Sequence, residues 1–133
     1  MPQETLQQRI ARHEGYRANP YKDKLGNLTI GIGRCLDTKG ITRSEAEYLM
    51  NNDINEATHA VDASLPWALQ LASIRREVLI EMAFQMGIGG LLQFRNMLNA
   101  LEKGDIDTTV KEMLDSAWAK QTPERSEEFA GLS

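Results

Sequence analysis

Cysteine is almost missing from this chain. Cys35 is the single one among 133 residues, so no disulfide can close within the chain and no thiolate cluster can hold zinc. Histidine is nearly as scarce: His13 and His59 lie far apart, and neither a metal-centred site nor a cofactor is expected. No apolar run approaches the roughly 20 residues needed to cross a bilayer, so no membrane insertion is expected. The opening stretch, MPQETLQQRIARHEG, has no apolar segment of the kind a secretory signal carries, which implies synthesis in the cytosol. Positive charge is not in excess either. Fifteen Lys and Arg against nineteen Asp and Glu leave a net charge of −4, which argues against nucleic acid as the main partner, because basic surface supplies most of that affinity. Repeats, low-complexity segments and Gly/Ser linkers are also lacking. What remains is a chain with 41% hydrophobic and 26% charged residues. That is enough apolar side chain to bury a core in one domain spanning 1–133, and a monomer is expected.

Helical periodicity dominates the pattern. Residues 2–14 place Leu6, Ile10 and His13 or Glu14 at helical spacing, with Gly15 as the stop. The next twenty residues change character: Tyr21, Leu28, Thr29, Ile30 and Ile32 favour strands, and Gly26-Asn27 supplies a turn. An antiparallel hairpin is expected here, with a third short strand near 34–36. Thr42-x-x-Glu45 has the form of a capping box. The apolar stripe Ala46, Leu49, Met50, Ile54, Ala57 and Val61 then predicts the longest helix, to about residue 62, before Ser64-Leu65-Pro66 breaks it. A short turn over 67–71 precedes a helix from a Ser73 cap to about 86, strongly apolar from Val78 and expected at the centre of the core. Gly87, Gly89 and Gly90 are expected to end it. Further helices are expected over Leu91–Leu101, from Asp105 or Asp107 to about Ala119, and from Thr122-Pro123, with Thr122 as cap. The fold class is therefore α+β, mainly helical with one small antiparallel hairpin near the N-terminus.

Chemistry is concentrated between Glu14 and Gly33, where a helix end meets a glycine-rich hairpin and two carboxylates stand nine positions apart. Glu14 falls on the apolar stripe beside Ile10 and at the negative end of the helix dipole. Burial and dipole both disfavour a charged carboxylate and suit a proton donor. Asp23 lies between Lys22 and Lys24 at a polar turn and is expected to stay ionised. Two carboxylates in contrasting environments are what a glycosidase needs for its acid and its partner. A hairpin loop of about five residues would set Thr29 across from Asp23, with its hydroxyl able to hold a water. Each feature also has an ordinary explanation: a Glu at a helix end is usually solvated, an Asp beside Gly-Asn is usually turn chemistry, Thr is at home in a strand, and Gly31 and Gly33 can reflect tight strand packing.

Taken in order, Glu14-Gly15, Tyr21-Lys22-Asp23, Gly26 and Thr29-Ile30-Gly31-Ile32-Gly33 resemble the active-site signature of the phage-type lysozymes, the endolysins of the T-even phage lysozyme family. The likeness resumes over residues 40–47, at Ala83-Phe84-Gln85-Met86-Gly87, at Ser116-Ala117-Trp118 and at Gln121-Thr122-Pro123-x-Arg125, and so covers most of the chain. It implies a two-lobed lysozyme-like fold: a small lobe at about 15–42, a linking helix at about 43–62, and a helical lobe at about 63–133 joined by helix 2–14. It implies hydrolysis of the β-1,4 bond between N-acetylmuramic acid and N-acetylglucosamine in peptidoglycan glycan strands. Glu14 would be the general acid, Asp23 would activate or steer the attacking water, and Thr29 would hold that water. Phe84 and Gln85 match cleft-lining positions, and Arg125 matches an arginine that reaches the catalytic glutamate. Release to the cell wall through a membrane pore made by a separate protein is implied as well.

Departures from the family pattern carry their own expectations. Arg34 stands where a histidine is usual, and that histidine pairs with an acidic residue at the position of Asp53, so an Arg34–Asp53 ion pair is expected. The stretch from Cys35 to Gly40 is about twenty residues shorter, which removes one helix of the small lobe. Family members continue for another helix beyond the position of Ser133, and loss of that cover would weaken the helical lobe. Negative net charge implies weaker attraction to the anionic wall than a basic relative would have. Two alternatives compete with the muramidase: a lytic transglycosylase in which Glu14 acts alone, and an inactive lysozyme-like module that binds peptidoglycan or serves a structural role in a phage particle.

Overall fold

A computed structural model describes residues 3–132. The described residues form two compact units, one ending at Tyr48 and one beginning at Leu49. The first unit opens with α1, Leu6–Glu14. Its start is closed by a capping box: Thr5 Oγ1 accepts from the Gln8 N–H at 3.1 Å, and Gln8 Oε1 accepts from the Thr5 N–H at 2.9 Å. Gly15 then ends the helix.

A three-stranded antiparallel sheet follows in the order β1-β2-β3, with β1 Arg17–Lys22, β2 Leu28–Gly31 and β3 Arg34–Cys35. Tyr21 pairs with Thr29 and Lys22 with Leu28, while Thr29 pairs on its other side with Cys35. The β1–β2 register shifts between Arg17 and Tyr21. Pro20 lies inside that stretch and has no N–H to give to the ladder, which accounts for an irregularity there. The third strand expected near 34–36 is thus present. Among the described residues no helix stands between β3 and α2.

The longest helix, α2, runs Arg43–Ser64. Its capping box forms as the sequence predicts: the Glu45 N–H donates to Thr42 Oγ1 at 3.1 Å and the Thr42 N–H to Glu45 Oε1 at 2.8 Å. Glu45 has a second task. Arg34 forks onto it, Nη1 to Oε1 at 2.7 Å and Nη2 to Oε2 at 2.5 Å, and Nη1 also reaches the Gly40 carbonyl at 3.0 Å. The Arg34–Asp53 pair expected from sequence is therefore corrected. The cap fixes Glu45 on the first turn of α2 within reach of the hairpin arginine, and the planar fork is filled there.

The Arg34 guanidinium and then the Thr42 amide hold the Glu45 carboxyl down to about 2. Its folded value lies below the ordinary carboxylate range, so its contribution to stability is present above that range and is lost as pH falls towards about 2. Thermal melts should accordingly show wild type above Glu45→Gln at pH 6, with the gap closing as pH falls from about 4.5 to about 2. A gap that does not change with pH would mean that the charged pair contributes nothing.

The second unit is helical around one core. A short 3-10 turn, Pro66–Gln70, follows α2. Then come α3 Ser73–Leu92, α4 Arg95–Glu102, α5 Ile106–Leu114, α6 Ala117–Gln121 and α7 Pro123–Leu132. Helix α3 supplies Val78, Leu79, Met82 and Ala83 to the core, where Val61, Leu91, Met97, Leu101, Met113 and Phe129 join them. Centrality of the Val78–Met86 stretch is thus observed. The break expected at Gly87 is present (φ 78°, ψ 161°), whereas Gly89 and Gly90 stay helical and a second helical segment of α3 runs on to Leu92. A left-handed φ at one residue kinks the helix, and Gly alone takes it without strain.

Asp105 caps α5 by accepting from the Thr108 N–H at 3.2 Å. Ser116 rather than a continuous helix opens α6, its Oγ accepting from the Ala119 N–H at 3.1 Å. Thr122 directly precedes α7, which opens at Pro123 as expected; its Oγ1 donates back to the Trp118 carbonyl at 2.9 Å and its own carbonyl accepts from the Ser126 N–H at 3.0 Å. Trp118 itself is stacked on Phe129 and edge-on to Phe94. No helix among the described residues is long and apolar enough to cross a membrane.

Candidate functional site

Three of the residues singled out from sequence, Glu14, Asp23 and Thr29, lie in the first unit. Glu14 is the last residue of α1, and its side chain is exposed. The expected burial is corrected. No residue of α1 is buried, and Ile10 on the same stripe is 46% exposed, so a place on that stripe does not enclose the carboxyl. Its surroundings are set by the turn between β2 and β3. Ile30 pairs with Arg34 across Gly31-Ile32-Gly33, and the Glu14 carboxyl lies directly over Gly33.

Asp23 is half-buried at the β1–β2 turn. Its N–H donates to the Asn27 carbonyl at 2.9 Å, and its own carbonyl accepts from the Gly26 N–H at 3.0 Å. Oδ1 accepts from the Leu25 and Asn27 N–H groups, both at 2.9 Å. Oδ2 has no hydrogen-bond partner among the described residues. One carboxylate oxygen therefore builds the turn and the other is available to a ligand or water.

Thr29 is buried, at 4% exposure. It stands opposite Tyr21, not opposite Asp23: the loop is five residues long, but it runs from Asp23 to Asn27 and so includes Asp23. Within that loop Asp23 closes onto Asn27, which leaves it two positions along from Tyr21, the residue opposite Thr29. Thr29 Oγ1 donates to the Asn27 carbonyl at 3.0 Å. With its proton so committed, the hydroxyl presents lone pairs, and a water beside it would have to donate.

Phe84, Gln85 and Arg125 belong to the second unit. Phe84 is 40% exposed and, with Met50, Ile54, Ile80 and Arg125, lines a groove of about 560 Å³. It is therefore not the core residue that plain apolarity would suggest. Gln85 is exposed, and its Oε1 accepts from Trp118 Nε1 at 3.1 Å. Arg125 places Nε and Nη2 on Glu81 Oε2 at 3.0 and 2.9 Å. No sequence spacing marks Glu81 as the partner of Arg125, which is 44 positions away. Gly33 belongs to the signature that resembles the family's active site, and the Gly-x-Gly pattern is the signal that something passes close to the backbone there. Among the described residues no group of three or more His, Cys, Asp or Glu is placed to hold a metal ion.

The family model for phage lysozyme matches residues 11–133, a stretch that contains all six of these residues. The chain belongs to the phage lysozyme family. As a member it is an enzyme of the lysozyme type, a cell-wall hydrolase. Among lysozyme relatives, it is 32% identical to a protein of Dictyostelium discoideum named probable T4-type lysozyme 1, over 85% of this chain and 84% of that protein. It is 30% identical to peptidoglycan hydrolase gp36 of Pseudomonas phage phiKMV, over 90% of this chain but 14% of that longer protein. It is also 28% identical to pre-baseplate central spike protein Gp5 of Enterobacteria phage T4, over 94% of this chain and 27% of that protein.

Proposed function

We propose that this lysozyme cuts the β-1,4 bond between N-acetylmuramic acid and N-acetylglucosamine in peptidoglycan, with Glu14 as the acid and a water as the nucleophile. The observation that carries the reading is the company Glu14 keeps. Its carboxyl lies over the hairpin turn, in the same compact unit as a half-buried Asp23 with one uncommitted oxygen and a Thr29 hydroxyl that can only accept from water.

The step balances as follows. The Glu14 proton goes to the glycosidic oxygen as the bond from that oxygen to the anomeric carbon breaks. Water attacks the same carbon, and its proton passes to Asp23 Oδ2. A water that donates one hydrogen to Thr29 Oγ1 and the other to Asp23 Oδ2 turns its lone pair to the sugar. Attack from the face opposite the leaving oxygen inverts the anomeric centre. Proton return from Asp23 to Glu14 through solvent completes the cycle. Each cut consumes one water and creates one reducing end. The groove beside Phe84 and the exposed Gln85 serve substrate contact in this reading. Arg125, held by Glu81, offers its remaining guanidinium N–H donors there.

The test measures turbidity clearing and reducing-end release on purified Gram-negative peptidoglycan. Clearing with one new reducing end per cut supports the hydrolase. Clearing with anhydro sugar and no reducing ends would replace it with a lytic transglycosylase. A folded chain that binds peptidoglycan without clearing it would favour a binding or structural module.

A further inference from the structure

Glycine at position 33 follows from where the Glu14 side chain runs. A methyl group placed on Gly33 would stand 2.7 Å from Glu14 Oε2, 2.9 Å from Cδ and 3.0 Å from Cγ. Three successive parts of the side chain therefore rest on the bare Cα of this one residue. Ordinary non-bonded contacts at carbon lie near 3.5–4.0 Å, so any β-carbon here must displace the carboxyl. We propose that Gly33 is a positioning residue for the reaction: its missing side chain is the seat that fixes the Glu14 carboxyl against the β2–β3 turn. The inference rests on the reading of Glu14 as the acid, and it names the device that aims it.

The alternative explanation is backbone conformation alone, since Gly33 has φ +72°. Gly31 separates the two. It sits in the same turn with φ +69°, yet a methyl group there would meet nothing within 4 Å. Gly31→Ala therefore suffers the same left-handed strain as Gly33→Ala without touching Glu14. Because the Glu14 side chain is exposed and has room to rotate towards solvent, Gly33→Ala relieves its clash by moving the carboxyl rather than by unfolding the unit.

The experiment compares Gly33→Ala and Gly31→Ala in the full chain, by thermal melt, by steady-state kinetics on soluble peptidoglycan oligomers, and by the ¹³C resonance of the Glu14 carboxyl. Similar drops in Tm are expected for both. Gly33→Ala should lose about thirtyfold in kcat with KM within about threefold, the pattern of a displaced reacting group, whereas Gly31→Ala should stay within about threefold in both. The Glu14 resonance should move in Gly33→Ala and hold in Gly31→Ala. Equal losses of kcat in the two variants, or a Glu14 resonance that ignores Gly33→Ala, would overturn the proposal. The resonance reads the seat without reference to activity, so an active Glu14→Gln would strike the catalytic reading and leave the seat to be decided by NMR.

Discussion

Glu14→Gln should lower the rate of glycan cleavage by about a thousandfold and leave the fold as it is. General acid catalysis supplies on the order of 10²–10⁴ in rate, and the amide has no proton to give at the pH of the assay. The substitution is nearly isosteric, so the side chain still rests on Gly33 and the geometry of the turn is kept. Stability should be unchanged to within about 0.5 kcal/mol, because the residue is exposed and makes no hydrogen bond or ion pair among the described residues. Reducing-end release per mole of enzyme and a melt on the same preparation check both halves. Retention of more than about a tenth of the activity would remove Glu14 from the role of acid, whichever bond is cut.

What could be read ahead in the sequence was what is decided locally. The Thr42-x-x-Glu45 cap, the Gly26-Asn27 turn and the apolar run from Val78 are each settled by neighbours a few positions apart, and each formed as expected. What was not legible depends on space. Arg34 chose Glu45 over Asp53 because the capped first turn of α2 holds a carboxylate where the fork can reach it. The break at Gly87 came where expected, but helical geometry resumes directly after it because Gly89 and Gly90 lie inside the second segment instead of extending the interruption. At the candidate site the identities of Glu14, Asp23 and Thr29 were legible and their relation was not. The five-residue loop includes Asp23 instead of starting after it, so Thr29 faces Tyr21 and not Asp23. Glu14, expected inside, lies exposed on a glycine. That contact, like the Arg125–Glu81 pair, joins residues whose sequence separation carries no period.

Asp23 carries a double load, and two substitutions should separate it. Oδ1 closes the turn on the Leu25 and Asn27 amides while Oδ2 is left without a partner among the described residues. Asn at this position keeps a side-chain oxygen that accepts both amides, so Asp23→Asn should hold Tm within about 2 °C. It loses the negative charge and the base, and activity should fall about a hundredfold, the size of a lost base or charge stabiliser. Asp23→Ala loses the turn as well. Two amides are left without their acceptor, and about 1 kcal/mol of stability should go with them, besides at least the same loss of activity. The pair of variants is informative because the two loads predict different orders: by stability, wild type and Asn group together above Ala, whereas by activity Asn and Ala group together below wild type. If Asp23→Asn instead stays within about threefold of wild type while Asp23→Ala fails in both assays, Asp23 is only a turn residue. A hydrolase reading with water steered at Oδ2 would then give way to one in which Glu14 works alone, and anhydro products should appear where reducing ends were expected.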